Sequence, residues 1–348
     1  MKSLQENHNH IRRVAVIGSG VAGLSAALLL KAAGVSVQVF EKSRGPGGRL
    51  ASKRTSEGGV DIGAQYFTVR DQGFRDFLNQ YAPGSFQPWR GNLQLERPPG
   101  QFQPFGEDTR YVGVPRMTAV SRALSEQLSS HYETRIHKLL KIDGADQWGL
   151  ESAEGEQFGP FDQVIITAPP VQTRDLLINS GLGSLNQVPA LADADMLPCW
   201  ALGIRLSAAL PVSYDGLQPA EGPIGWVARD SSKPGREVPH EWWMLHATPE
   251  WSAAHEGAEP DRVREVLISS FKGLHEVPED VSVTETVVHR WLYARSPSTE
   301  AGAGHLWFAE QGIAVIGDWL AGGRVEGAYL SAAGLIQQWQ SNQLVRTA

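Results

Sequence analysis

Gly18, Gly20 and Gly23 stand in the run GSGVAG, and Glu41 follows 18 residues after the last of them. Each position suits one task in holding a dinucleotide. Gly18 permits a tight turn, Gly20 lets a backbone approach a pyrophosphate, and Gly23 lets a helix pack closely on a strand. A carboxylate at Glu41 can accept hydrogen bonds from both ribose hydroxyls. RGPGGR, from Arg44 to Arg49, adds two guanidinium groups and three glycines, Gly48 among them, able to lie along a pyrophosphate. Near the other end, Asp318 closes an apolar run, and a helix begins near Val325 or Glu326. An enzyme using NAD alone has no need of this second acid and helix, whereas FAD does. The acid can bind a ribitol hydroxyl, and the helix N-terminus can face the isoalloxazine N1 and C2 carbonyl, where its dipole stabilises negative charge.

The elements that must position these residues are legible from periodicity. Val14 to Ile17 is a wholly apolar run closed by glycine, the pattern of a strand buried on both faces. Val21 to Ala33 is Ala- and Leu-rich and predicts a helix, with Gly34 as its C-terminal cap. Val35 to Phe40 alternates as a second strand, which completes a βαβ unit. Arg44 to Gly63 reads as coil with a short helix. Further helices are predicted over Thr118–Leu128, Val263–Leu274 and Ala328–Trp339, and further strands over Gln163–Thr167 and Ile313–Ile316. Residues 83–105 and 210–240, rich in Pro and Gly, read as loops. Seven of the 11 tryptophans lie between Trp200 and Trp307, a texture unlike the Gly/Ala/Val ends. The expected fold is α/β: a Rossmann-like FAD-binding domain from residues 1–70, 106–172 and 306–348, with two dinucleotide-binding motifs. An inserted α+β substrate domain, on a mixed or antiparallel sheet, takes 71–105 and 173–305.

Composition excludes several other functions. Thirty-one Lys and Arg against 38 Asp and Glu leave a net charge of -7, with no basic footprint for nucleic acid or an acidic membrane surface. The ten histidines show no HExxH or other close ligand spacing, so no metal site is expected. No GxSxG appears. The single cysteine, Cys199, precludes an intramolecular disulfide and reads as buried and inert beside Trp200. Arg12 and Arg13 precede an uncharged stretch to Leu30, but three glycines interrupt it and Lys31 follows. This argues against a leader or membrane span, and a cytoplasmic location is expected.

GSGVAG, EKSRGPGGR, the VIITAPP strand and turn (164–170) and the terminal IGDWLAGGRVEGAYLSAAG together resemble the FAD-dependent amine oxidase superfamily. Within it, VDIGAQYFT (60–68), WMLHATPEWS (243–252) and RWLYA (290–294) are similar to the renalases, in their bacterial branch. The resemblance implies noncovalent FAD, held by Gly18, Gly20, Gly23, Glu41, Arg44, Gly48, Arg49, Ala64, Gln65, Ile136, Asp318, Val325 and Glu326. It places Gln65, Tyr66, His246, Trp291 and Tyr293 in the substrate pocket. His246, in a strand-like run, suits a core position equally well, and Trp291 could be packing. The implied activity is oxidation of 2- or 6-dihydro isomers of NAD(P)H to NAD(P)+, with hydride passing to flavin N5 and electrons then to O2, giving H2O2. Such a ring restores its aromaticity by losing hydride, so no acid/base catalytic residue is expected. A small-molecule dinucleotide and O2 are the expected partners, and the chain is expected as a monomer or homodimer.

Two rival readings follow from the same residues. A flavin amine oxidase or related desaturase is the first. Many such oxidases carry a lysine near flavin N5, whereas after Lys141 this chain has only Lys233, in a predicted loop, and Lys272, on a surface-like helix. The second is a flavin-free binding protein of the GDP-dissociation-inhibitor type. Glu41, RGPGGR and Asp318 together argue against it, since a protein without flavin has no use for all three.

Overall fold

The Ala- and Leu-rich segment after the fingerprint forms the helix Val21–Ala32, closed by Gly34 with φ +81°. It joins the parallel strands Arg13–Ile17 and Ser36–Phe40, as the βαβ pattern requires. The structure, a computed structural model, describes residues 11–346 except 237, 276, 299 and 301. The chain divides into two units, one of Met1–Gly48, Ser121–Asp195 and Ser296–Ala348, the other of Arg49–Val120 and Met196–Arg295.

In the first unit a six-stranded sheet runs in the order His305–Phe308, Ile313–Ile316, Gln163–Ile166, Arg13–Ile17, Ser36–Phe40, Ser129–His131. All its neighbours are parallel except the first pair, which is antiparallel. The central strands are buried but for their first residues Arg13 and Gln163, which explains their apolar runs. Helix Val21–Ala32 packs on the last helix, Arg324–Ser341. A second, three-stranded antiparallel sheet (Ile136–Lys141, Trp148–Ser152, Gln157–Phe161) shares the core through Leu139, Trp148, Leu150 and Phe161.

The second unit is built on a mixed seven-stranded sheet: Val283–Arg295, Leu197–Leu206, Trp242–Ala247, Ile224–Arg229, Gly216–Gln218, Leu93–Glu96, Phe102–Pro104. Only Gly216–Gln218 and Leu93–Glu96 pair in parallel. Helix Pro260–His275 places Val263, Leu267 and Phe271 four residues apart on one face, against Leu202, Ile204, Trp243 and Leu245. Burying each such side chain contributes about 1.5–3 kcal/mol.

Two expectations need correction here. Residues 83–105 and 210–240 are not wholly loop but contain five short strands, and all but Phe86–Pro88 extend the large sheet. Strands this short show little periodicity, and Phe102–Pro104, at the sheet edge, tolerates its proline, so composition hides them. The unit boundaries also differ from those expected at 70, 105, 172 and 305. Residues 49–70 and 106–120 belong with the second unit, because Asp61 accepts from the Met117 amide and pairs with Lys233 and Arg236. Residues 173–195 belong with the first, where Leu176, Leu177 and Leu191 enter the core.

Candidate active site

In the first unit the fingerprint glycines do three different things. Gly18, at φ +107°, donates its amide to Phe40 O, and a Cβ there would lie 2.3 Å from Thr167 Oγ1. A Cβ on Gly23 would lie 2.0 Å from Gly18 O, so only glycine allows the helix this close to the strand. A Cβ on Gly20 would meet nothing within 4 Å. The space beside it is open, and Gly20, as N-cap, offers no side chain to the first-turn amides of the helix. Those amides, with the helix dipole, are suited to an anion.

Glu41 is buried at the end of the second strand. Its Oε2 accepts from Ser19 N at 2.9 Å and Ser19 Oγ at 2.8 Å, and its Oε1 from Ser43 N at 2.8 Å. The RGPGGR turn is tied to the fingerprint by Gly47 N donating to Ser19 O at 3.0 Å, and Gly48 lies against Gly20. Arg44 is exposed, whereas the Arg49 guanidinium, in the second unit, donates to Ala294 O. Asp318, also buried, begins a single 3-10 turn after strand Ile313–Ile316. Its carbonyl accepts from Ala321 N and Gly323 N, and three successive residues with positive φ, Gly322, Gly323 and Arg324, lead into the last helix. For Arg324, at φ +66°, that conformation costs about 1–2 kcal/mol, a strain of the kind held at functional turns. Val325 and the buried Glu326 follow in the first turn, again without a side-chain cap. Ile136, buried, opens the small sheet of the same unit. The open Gly20, the uncapped amides and the buried carboxylates at both strand ends fit an adenine dinucleotide.

The second unit carries two of the expected pocket residues, His246 and Trp291, on one face of its large sheet, while Gln65 and Tyr66 lie outside the sheet. Cross-strand register aligns Trp226 with His246, His246 with Ala201, and Ala201 with His289, while Trp291 pairs with Cys199. Residues opposite one another share a face, and this is the face away from helix Pro260–His275. Tyr293 stands two residues after Trp291 on the same strand, where the pairing with Leu197–Leu206 shifts register. One acceptor joins two of these side chains. The Ile62 carbonyl accepts from Trp291 Nε1 at 2.9 Å and from His246 Nε2 at 3.3 Å.

A carbonyl only accepts, so Nε2 carries the proton of the neutral imidazole and Nδ1 keeps its lone pair. Burial pushes His246 down to about 4, so the ring is neutral at ordinary pH. His289 meets the Trp291 ring edge-on and is lowered to about 4, by burial and then by Lys53. Tyr66 packs against Trp226 and Phe105, with the Arg110 guanidinium over its ring.

Ala64 and Gln65 are spent on the protein. Ala64 N donates to Arg49 O, and Gln65 Nε2 donates to Asp61 O at 2.6 Å and Gly63 O at 3.0 Å. The Gln65 carbonyl oxygen accepts from Lys233 Nζ at 2.9 Å. Lys233 lies outside helix and strand, after the turn Asp230–Ser232, as a loop residue would, but it is buried. Lys233 is 2% exposed and also pairs with Asp230 at 2.6 Å and Asp61 at 3.5 Å, while Arg236 joins Asp61 from another side. Burial alone would raise Asp61, but Lys233, Arg236, the Ser52 hydroxyl and the Met117 amide hold it below the usual carboxylate range. For Asp230 burial prevails and pushes the carboxyl up.

The lysine's position therefore no longer counts against amine oxidation. Sequence reasoning missed Asp61, Asp230, Lys233 and Arg236 as a group; the spacing of Asp230 and Lys233 was the local signal available. Cys199 is half-buried, its Sγ facing Ala247 O, and burial pushes the thiol up to about 12.

The family model for flavin containing amine oxidoreductase matches residues 100–334, and that for the NAD(P)-binding Rossmann-like domain matches residues 16–81. The chain belongs to the flavin-containing amine oxidoreductase family. FAD is the cofactor that the two family models imply, and the flavin-free reading falls. Among curated relatives, it is 27% identical over 229 residues to the tRNA 5-methylaminomethyl-2-thiouridine biosynthesis bifunctional protein of Magnetococcus marinus, over 52% of this chain and 34% of that one. It is 46% identical over 66 residues to the mitochondrial protoporphyrinogen oxidase of Nicotiana tabacum, over 18% of this chain and 13% of the relative. The chain thus spans about a third or less of the length of these relatives. Among solved structures, reduced UDP-galactopyranose mutase superposes with a TM-score of 0.73 at 12% identity, over 94% of this chain and 96% of that one. Putrescine oxidase bound to putrescine gives 0.67 at 12% identity, over 94% and 99%. These likenesses establish the family's fold. Among the described residues no helix is long and apolar enough to cross a membrane, and no cluster of His, Cys, Asp and Glu could hold a metal.

Proposed function

We propose that this flavoenzyme oxidises off-pathway dihydronicotinamides, the 2- or 6-dihydro isomers of NAD(P)H, and returns NAD(P)+. The motif matches VDIGAQYFT, WMLHATPEWS and RWLYA carry the resemblance to renalases, and one structural observation supports it. Among the described residues, the two carboxylates buried beside the pocket face are both paired with cations of the protein: Asp61 with Lys233 and Arg236, and Asp230 with Lys233. His246 is neutral. Such a lining suits an uncharged ring that gives up hydride and needs no base, because aromaticity drives the loss.

Bound FAD would supply two-electron acceptance and reoxidation by O2 to H2O2. Glu41 would hold the ribose, the first-turn amides at Gly20 the pyrophosphate, and Asp318 the ribitol. Trp291 and His246 orient the ring, where about 1 Å of misplacement can cost about a hundredfold in rate. We place the protein in the cytoplasm, acting on a free dinucleotide. Anaerobic mixing tests the reading. The 2- and 6-dihydro isomers should bleach the flavin rapidly, while 4-dihydro NAD(P)H and simple amines should not. Bleaching by amines alone would make the enzyme an amine oxidase.

A further inference from the structure

The cation buried most deeply beside the pocket face is Lys233, and every proton on its ammonium is committed. Nζ donates to Gln65 Oε1 at 2.9 Å, Asp230 Oδ1 at 2.6 Å and Asp61 Oδ2 at 3.5 Å, and the charge lies 5.7 Å from the centre of the Trp89 ring. Gln65 relays this hold to the main chain. With its oxygen fixed by the lysine, its Nε2 donates to Asp61 O and Gly63 O, the carbonyls on either side of Ile62. The intervening Ile62 carbonyl is the one that accepts from both Trp291 and His246. Three consecutive carbonyls are thus engaged, the outer two by Gln65 and the middle one by the pocket.

Burying two carboxylates with two cations adds little net stability, since desolvation roughly cancels attraction. What such a network supplies is one geometry. An amide rotated by 180° would turn Nε2 toward the ammonium, so Lys233 also selects the Gln65 orientation that serves both carbonyls.

We propose that Lys233 is a positioning residue: acting through Gln65, it sets the Ile62 carbonyl and thereby the placement of His246 and Trp291. Its bearing on catalysis rests on the reading that these two side chains line the substrate pocket. The test uses FAD-loaded protein and the NMR signal of the Trp291 indole N–H, identified by its loss in Trp291→Phe, with the ring signals of His246. In Lys233→Met the indole signal should move upfield and the His246 signals should shift. Flavin reduction by the preferred dihydronicotinamide should slow about tenfold to a hundredfold, with FAD content retained.

Gln65→Met breaks the same relay without removing a charge, so it carries the test even where Lys233→Met fails to fold. It should move the same signals, and the double variant should be no slower than the worse single one. Unmoved Trp291 and His246 signals in Gln65→Met would overturn the proposal. So would slowed reduction in Lys233→Met with both signals in place, which would make the lysine a group acting directly on the reactants. Signals that shift as expected in an enzyme that no dihydronicotinamide reduces would leave the positioning intact and refute the substrate reading instead.

Discussion

In the first unit, the groups suited to a ligand are main-chain amides at the starts of two helices and carboxylates at the ends of two strands. In the second, the polar side chains around Ile62 are spent on one another: Gln65 on backbone, Lys233 on Asp61 and Asp230, and His246 and Trp291 on one carbonyl. A site made of backbone and open space is completed by what binds it. A site made of interlocked side chains is already complete and contributes shape. Damage to the first should therefore appear as lost cofactor affinity, and damage to the second as lost stability or misplaced substrate.

The largest expected effect lies in the second unit. Asp61→Ala removes the shared partner of Lys233 and Arg236 and leaves two buried cations short of a counter-charge. Breaking such a pair costs about 3–5 kcal/mol, which urea unfolding of the FAD-loaded protein would read as a lowered midpoint. An unchanged midpoint would mean that the network is dispensable and the contrast false. Next comes Glu41→Ala, which should weaken FAD by about ten- to hundredfold, the equivalent of about 1.5–3 kcal/mol, in a fluorescence titration of apoprotein. A stability loss equal to that of Asp61→Ala, with FAD affinity intact, would erase the distinction.

The smallest expected effect is one of pH. His246, neutral until about pH 4, gains its proton only well below the range where an ordinary histidine titrates. Flavin reduction should then change by less than about twofold from about pH 8 to about pH 5.5 and fall only as pH 4 is approached. An inflection near pH 6.5 would show a histidine exposed to water in the working enzyme.

The same contrast explains what could be read without coordinates. The fingerprint glycines, Glu41 and Asp318 act at fixed offsets along the chain, because a strand, a turn and a helix N-terminus impose that spacing; the βαβ unit and the last helix were therefore legible. In the Lys233 network only Asp230 and Lys233 stand at such a spacing. Asp61 lies 172 residues from Lys233, and only the fold brings them together. SSKPGR has the composition of a solvated turn, and nothing local signals that its lysine is buried. His246 and Trp291 were legible as strand residues, since alternation marks the face, but their common acceptor is a backbone carbonyl, which no residue type announces. The short strands in 83–105 and 210–240 escaped for the same reason: such short strands are specified by their neighbours more than by their own residues.

Cys199 has a consequence for the lifetime of the enzyme. The proposed reaction releases H2O2 within the protein that makes it, and sulfur is the element in a polypeptide most readily attacked by peroxide. At a cysteine, attack proceeds through the thiolate, and burial pushes the Cys199 thiol up to about 12, away from that form at neutral pH. The chain has one sulfhydryl, and its surroundings keep it protonated. Turnover can therefore continue without the enzyme oxidising its own cysteine to a sulfenic acid.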